Sequence, residues 1–458
     1  MSFIKRQQTL DLLHGSIWNK LPLFALPVAA TGMLEQLFNA SDVAIVGNFA
    51  HIDRTVAIAA VGANGPIVGV ILNFFIGISL GINVVIAHAI GRQDKKAVGE
   101  MVQTAVLAAL IGGVLVAAVG ELCIAQVLQL LQVPEAVLPY ALLYIRIYLL
   151  GLPVIFLYNF EAAIFRSSGD TKTPLLALAF SGCLNVLLNL FFVLVFEMSV
   201  DGVAIATVLA NVVSASLLLV KLLQSDGWIH LQLENLRIHR KWLVSMLRIG
   251  LPAGVQAAVF NVANLVIQAA INSLGTTVIA ASSAALNIEM MVYYLFNAFG
   301  QACTTFVGQN VGAGQLSRCR RTLALCLLED ALAVGVAIAL ILSHGPFLLS
   351  LFNSDSQVIA LGYERLVLVF VAYFFSMLYE VMSGYMRGFG ISLLPAVLTT
   401  IGVCGTRIAW VYVVFAQDPN FHTLLLAFPV SLALTAVLIF GALVAKHPAR
   451  RAKGARAE

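Results

Sequence analysis

The heptapeptide LPVAATG at residues 26–32 returns as LPAGVQA at residues 251–257, and it does not return alone. AHAIGRQ (87–93) is matched by GQNVGAG (308–314), and FRSSGDTKTP (165–174) by MRGFGISLLP (386–395). The offset is 225 residues at the first pair and 221 at the other two, and the extra HIDR at residues 51–54 reconciles them. Three echoes in one order, at nearly one offset, mark an internal duplication.

What is duplicated follows from composition. The 458 residues are 60% hydrophobic and only 10% charged, and the mean hydropathy is +0.96. That is far outside the range of soluble domains and marks an integral membrane protein. A helix crosses the hydrocarbon core with about 20 apolar residues. Runs of that kind lie near 22–49, 57–88, 100–122, 138–163, 174–196, 202–223, 249–273, 278–307, 322–343, 358–386, 392–415 and 423–445. Each copy holds six, an even number, so both copies start on the same side of the membrane and form a parallel repeat. The expected fold is an all-α polytopic membrane protein, twelve transmembrane helices in two pseudo-symmetric six-helix lobes. Residues 1–223 are the N-lobe, 224–248 a linker, 249–445 the C-lobe and 446–458 a basic tail.

Charge gives the orientation. Lys and Arg cluster in GRQDKK (91–96), FRSSGDTK (165–172), the Lys221–Arg248 region, SRCRR (317–321), Arg387 and the tail, whereas the opposite loops hold only Arg54. The positive-inside rule therefore places both termini in the cytoplasm. The net charge of +4 is spread between apolar runs rather than along one soluble face, so no nucleic-acid partner is expected. The six cysteines form no C-x-x-C pair and read as free thiols. The N-terminus is too polar for a signal peptide, so the first span is expected to remain in the mature protein.

Within the first span, LEQLFNASDVAIVGN (34–48) carries Glu35, Asn39 and Asp42. At i, i+4 and i+7 on a helix they fall within about 40° of one face. An acid at that depth costs several kcal/mol and persists mainly where it meets water, an ion or a partner. Counted inward at 1.5 Å per residue, Tyr144, Asn185, Asn189 and Thr207 lie at a similar depth, roughly 8–20 Å below the outer surface. One carboxylate with amide, hydroxyl and backbone oxygens suits a hard monovalent cation, and a partly desolvated carboxylate also suits carriage of a proton. The expected cation-coupling set is Asp42, Glu35, Asn185, Asn189, Thr207 and Tyr144, with Na+ or H+ as the coupling ion and no other cofactor. A Na+ ion would sit at Asp42, Asn185, Asn189 and Thr207. Their repeat partners, Ile267, Arg365, Thr406, Trp410 and Phe428, do not reproduce this chemistry.

The second copy carries buried charges of its own at Glu289, Glu380 and Arg407, with Glu329 and Asp330 mid-span. Glu289 and Arg407 share a comparable depth and could pair, and an acid facing the central cavity could equally bind cationic substrates. GISLG (77–81) fits the G-x-S-x-G pattern of serine hydrolases, but the eight histidines all lie at span ends or in loops, so the nucleophile lacks a base. The same five residues read as a helix-packing pattern. No Walker A motif supplies an ATP engine.

Taken together these motifs resemble the multidrug and toxic compound extrusion (MATE) transporters: LP opening spans one and seven, LFNASDVAIVG, AHAIGRQD, RSSGDTKTP and VDGVAIAT in order along nearly the whole chain. The resemblance implies export of amphiphilic, often cationic compounds in exchange for Na+ or H+ by alternating access. It implies a coupling role for Asp42, and first-lobe site roles for Asn185, Thr207, Tyr144 and Asn159. The sequence departs from the family at Asn189, where many members have a second aspartate, and at Phe260 and Ser376, where the sodium-coupled branch has acids. Glu35 is then the natural supplier of a second carboxylate. Asn39, Asn159, Glu289, Glu380, Arg407 and Tyr293 are candidates for the substrate cavity or the second-lobe charge, with Met290, Tyr294 and Phe296 offering adaptable apolar contact. The expected protein is a monomeric, multi-pass, non-enzymatic efflux antiporter of the bacterial inner membrane, in contact with lipids and small organic substrates. The alternatives are a flippase for a lipid-linked saccharide or lipid, a receptor or scaffold, and, remotely, an intramembrane serine protease.

Overall fold

The computed structural model describes residues 9–49, 53–234 and 236–449. Among these, twelve helices are long and apolar enough to cross a membrane: α1 Ile17–Phe49, α2 Arg54–Gly91, α3 Lys95–Leu130, α4 Leu138–Ser167, α5 Lys172–Leu194, α6 Val200–Leu223, α7 Arg240–Ser273, α8 Thr276–Gly312, α9 Leu316–Ser343, α10 Ser356–Gly388, α11 Leu393–Phe415 and α12 Phe421–Lys446. These are the twelve expected spans, most of them lengthened by a few residues to several turns, the fifth shifted by two residues at equal length and the eleventh shorter by one. His51 and Ile52 of HIDR (51–54) and most of the basic tail (446–458) lie outside the described residues.

Two of the three repeated pairs turn out to be one structural device used four times, while LPVAATG and LPAGVQA lie inside α1 and α7. Each use of the device closes an even-numbered helix. After α4, Gly169 takes φ 89°, after α8 Gly314 takes 78°, and after α10 Gly390 takes 80°, while Gln93 holds the same left-handed position after α2 at 59°. The backbone then folds back on the helix: Asp94 N–H donates to Ala89 O at 3.1 Å, Asp170 to Phe165 at 3.1 Å, Gln315 to Asn310 at 2.8 Å and Ile391 to Met386 at 3.0 Å. This paired closure satisfies the carbonyls that a helix end leaves open, and glycine takes the left-handed position at least cost. Acids start several of the helices in turn: Asp53, Asp94 and Asp355 accept from first-turn amides of α2, α3 and α10.

Two compact units result. One comprises Ala30–Leu247, the other Leu10–Ala29 together with Arg248 onward. The boundaries differ from those expected, since the opening of α1 belongs to the second unit and the linker, through Leu247, belongs to the first. Hydrogen bonds explain the exchange. In the second unit the Arg318 guanidinium donates to the carbonyls of Leu12 (3.3 Å), Gly15 (2.9 Å) and His14 (3.2 Å), Asn310 donates to Leu12 O at 3.2 Å, and Phe24 packs edge-on to Phe306 at 5.8 Å. In the first unit Gln103 donates to Gln232 O at 3.3 Å, Thr104 Oγ1 accepts from His239 N at 3.1 Å, and Trp242 Nε1 donates to Glu100 at 2.8 Å.

The outer faces are apolar, as a lipid solvent demands. On α9 the stripe Leu328, Leu332, Val336 and Leu340 is exposed, while Thr322, Cys326, Asp330 and Val334 face inward and are buried. Close approach inside the second unit depends on Gly384, where an added Cβ would meet the Gly300 carbonyl, and Thr304 Oγ1 donates to Gly384 O across the same contact at 3.1 Å.

Candidate cation site in the first unit

Asp42 is the acidic centre of a buried polar cluster drawn from α1, α5 and α6. Its Oδ1 accepts from Asn189 Nδ2 at 2.6 Å and its Oδ2 from Thr207 Oγ1 at 3.1 Å. Asn189 Nδ2 also donates to Asn185 Oδ1 at 3.2 Å, and Asn185 Nδ2 donates to Thr207 Oγ1 at 3.3 Å. Asp42 is 5% exposed, Asn185 4% and Asn189 0%. Asn185 and Asn189 are one turn apart on α5, so both present to α1.

The local sequence makes this approach possible at Gly182. A Cβ there would fall on the ring of Phe38, so only glycine lets α5 close on α1 one turn before Asn185. Gly182→Val is expected to push the helices apart at a cost of ~1–3 kcal/mol. Thermal unfolding in detergent should show a lowered midpoint, and vesicle assays a loss of gradient-driven transport at normal protein level; unchanged values in both would show that the contact is not required.

Chemically the cluster offers both oxygens of Asp42, the amide oxygens of Asn185 and Asn189, and Thr207 Oγ1. Asn189 Oδ1 is buried and has no hydrogen-bond partner among the described residues. A buried acceptor without a donor is an uncommon, costly feature that a cation would relieve. The cluster also accommodates a proton without rearrangement. The single Thr207 hydroxyl hydrogen has two acceptors, Asp42 Oδ2 and Val203 O at 2.9 Å. When Asp42 is protonated it can donate to Thr207 Oγ1 while Thr207 donates to Val203.

The remaining expected residues sort around this centre. Tyr144 is buried, stacks on Tyr148 at 6.3 Å and lies within electrostatic reach of Asp42. Glu35 joins no hydrogen bond of the cluster among the described residues; it is half-buried one stretch deeper in α1 and interacts electrostatically with Arg166. Asn39 is exposed, and Asn159 is turned back onto Ile155 O at 2.9 Å. Ser79, from GISLG, is buried within α2 with its hydroxyl on Ile76 O at 2.7 Å.

In the second unit one expectation is overturned. Glu289 pairs with Arg365, not Arg407: Arg365 Nε and Nη2 reach its two oxygens at 2.7 and 3.0 Å. Arg365 points the right way because it occupies the inward face of α10, where its fork also finds Ser282. Arg407 instead contacts Asn264 at 3.3 Å and Ser431 at 3.2 Å, with its guanidinium 4.4 Å from the Phe428 ring and 5.5 Å from Phe260. It is carried on α11 between two π-helical segments, Thr400–Gly405 and Val411–Phe415, widened turns of the kind that re-aim side chains. Glu380 pairs with Arg387 at 3.1 Å. Tyr293 and Phe296 pack edge-on at 5.3 Å, and Phe296, expected in a substrate cavity, is buried in the core of its unit. Sequence reasoning missed Glu161, buried on α4 with neither carboxylate oxygen hydrogen-bonded among the described residues; its place in YNFEAAIF, close to a span end, masked it.

Twelve apolar helices in a six-plus-six repeat, with an acid in a polar nest inside one repeat, are the architecture of a polytopic membrane transporter. A family model described as MatE matches residues 27–191 and 252–413, well over half the chain, and the chain belongs to that family of multidrug efflux transporters. Among its relatives, "Probable multidrug resistance protein YoeA" of Bacillus subtilis is 25% identical over 437 residues, covering 93% of each chain. "Probable multidrug resistance protein NorM" of Thermotoga maritima is 27% identical over 415 residues, covering 88% of this chain and 87% of that one. Of solved structures, an outward-facing MATE family transporter of the MOP superfamily matches with TM-score 0.87 at 20% identity, over 98% of this chain and 100% of that one.

Proposed function

We propose that the protein is a secondary antiporter that exports amphiphilic, often cationic organic compounds in exchange for inward Na+ or H+, acting as a single chain with both termini in the cytoplasm. The observation that carries the reading is the Asp42 cluster, a lone carboxylate held by Asn189 and Thr207 beside an unpartnered amide oxygen. Binding there couples to transport only if the cation's affinity differs between the inward- and outward-open states. The cluster supplies such a difference, because its oxygens come from three helices and a small separation of α1 from α5 would dismantle it. The flippase alternative calls for free guanidiniums to hold a phosphate, and Arg365 is committed to Glu289.

The test is efflux of a fluorescent cationic dye from proteoliposomes under separately imposed Na+ and H+ gradients. Efflux accelerated by one gradient and collapsed by its dissipation is the expected result, and it names the ion. Dye movement indifferent to both gradients would sink the antiport reading.

A further inference from the structure

Arg407 is 4% exposed, and its side-chain hydrogen bonds among the described residues go only to neutral oxygens, those of Ser431 and Asn264. An arginine keeps its charge in a protein. Inside a membrane such a charge persists where it meets a counter-charge, a polar cavity or a ligand. Glu289 cannot serve, because the fork of Arg365 takes both of its oxygens. Arg365 and Arg407 flank one ring, Phe428, at 5.5 and 4.4 Å. Two guanidiniums and one carboxylate leave one positive charge in excess.

Three helices bring the surroundings of Arg407 to one level. At 1.5 Å per residue, Arg407 lies ~12 Å from the end of α11 at Phe415, Asn264 ~14 Å from the end of α7 at Ser273, and Phe428 ~10 Å from the start of α12 at Phe421. Helices α11 and α12 approach closely at Gly402, where an added Cβ would meet Thr435. Ser431 Oγ gives its own hydrogen to Phe428 O at 3.1 Å, so it meets Arg407 Nε only as an acceptor, at 3.2 Å. Asn264 Oδ1 accepts from Nη1 at 3.3 Å. A guanidinium carries five N–H donors, and Nη2 makes no hydrogen bond among the described residues; neither does Asn264 Nδ2. Asn264 is exposed, so a small ion can reach its amide. The π-helical turns on both sides of Arg407 are the kind of distortion that accompanies functional sites.

We propose that Arg407 and Asn264 form an anion site in the second unit, built for one singly charged group, either a free halide or the carboxylate of a carried compound. The Nη edge of the guanidinium and the Asn264 amide donate to it, while Phe428 and Phe260 flank the guanidinium at 4.4 and 5.5 Å. A monoanion matches the single excess charge; a phosphate dianion would leave a buried negative charge unpaired. Anion binding here does not depend on the antiport reading, although the carriage of an acid-bearing compound does.

Thermal unfolding of the full chain in detergent tests the site when N-methylglucamine gluconate is replaced by the chloride at constant ionic strength. The midpoint should rise and saturate in wild type and in Asp42→Asn, and stay flat in Arg407→Met. Arg407→Lys keeps the charge without the fork and should weaken apparent chloride affinity by about 10-fold, the loss of one hydrogen bond to a charged group. Bromide soaked into wild-type crystals needs no variant, and its anomalous peak should lie within hydrogen-bond reach of Arg407 Nη2 and Asn264 Nδ2. Displacement of that peak by benzoate identifies a carboxylate as the ligand, and a peak that benzoate leaves in place identifies a free halide. No bromide peak at Arg407, or a chloride response equal in wild type and Arg407→Met, overturns the proposal. A bromide peak in a protein whose dye efflux ignores both cation gradients would sustain the site and defeat the antiport reading.

Discussion

Asp42→Asn is expected to abolish ion-driven efflux while leaving the protein folded and inserted. The substitution is isosteric, so the packing of α1 against α5 survives, but the only carboxylate of the cluster is gone. Asn189 Nδ2 now points at Asp42 Oδ1 from 2.6 Å; an amide there can accept only if turned so that its own nitrogen faces Thr207. Each hydrogen bond to a charged partner contributes about 1.5–3 kcal/mol. Losing the charge as well should lower apparent cation affinity by about 100-fold or more. Dye efflux from proteoliposomes under the gradient that drives wild type is the measurement. Downhill dye equilibration surviving in the mutant would show that alternation persists uncoupled, and full gradient-driven activity would remove Asp42 from the mechanism.

The largest effect on stability belongs to Glu289→Ala. Glu289 and Arg365 are almost wholly buried, at 2% and 4% side-chain exposure, and joined at 2.7 Å. Truncating one partner of such a pair costs ~3–5 kcal/mol because it strands the other charge. The surroundings aggravate the loss. Arg365 lies 5.5 Å and Arg407 4.4 Å from the same Phe428 ring, and Glu289 is the only carboxylate hydrogen-bonded to either of them among the described residues. Without it two guanidiniums repel each other across one aromatic ring. Thermal unfolding in detergent should show a large drop in midpoint for Glu289→Ala, and a substantial recovery in the double variant Glu289→Leu/Arg365→Met, which removes both charges. A single variant as stable as wild type would show that water reaches the pair.

Much of this molecule was legible before its structure. Spans depend on length and apolarity, and all twelve appear where the counting placed them. The repeat was readable because its motifs carry a backbone requirement, a left-handed residue at a helix end, that survives divergence. Asp42, Asn185, Asn189 and Thr207 were found together because depth can be counted along a helix. Glu35 shares the face of Asp42 two turns along α1 and joins none of its hydrogen bonds among the described residues. What failed was a statement about partnership. Glu289 and Arg407 share a depth, yet the inward turn of α10 gives Glu289 to Arg365. Arg365 holds the repeat position of Tyr144, and Phe428 that of Thr207, so where the first unit gathers side-chain oxygens around Asp42, the second contains a guanidinium against an aromatic ring. Wide π-turns such as those flanking Arg407 leave no periodicity to read.

The docking of Leu12–Gly15 onto Arg318 and Asn310 has a consequence for biosynthesis. The bonded groups are separated by 298 to 306 residues of chain. At about 5–20 residues per second of translation, the seat is made about 15–60 s after the segment that fills it. During that interval the segment that leads into α1 has its polar carbonyls without these donors. Completion of this protein therefore waits on the ninth helix, and a nascent chain stalled before residue 318 would carry a full-length first unit, an unfinished second unit and a loose leading end, a ready substrate for membrane quality control.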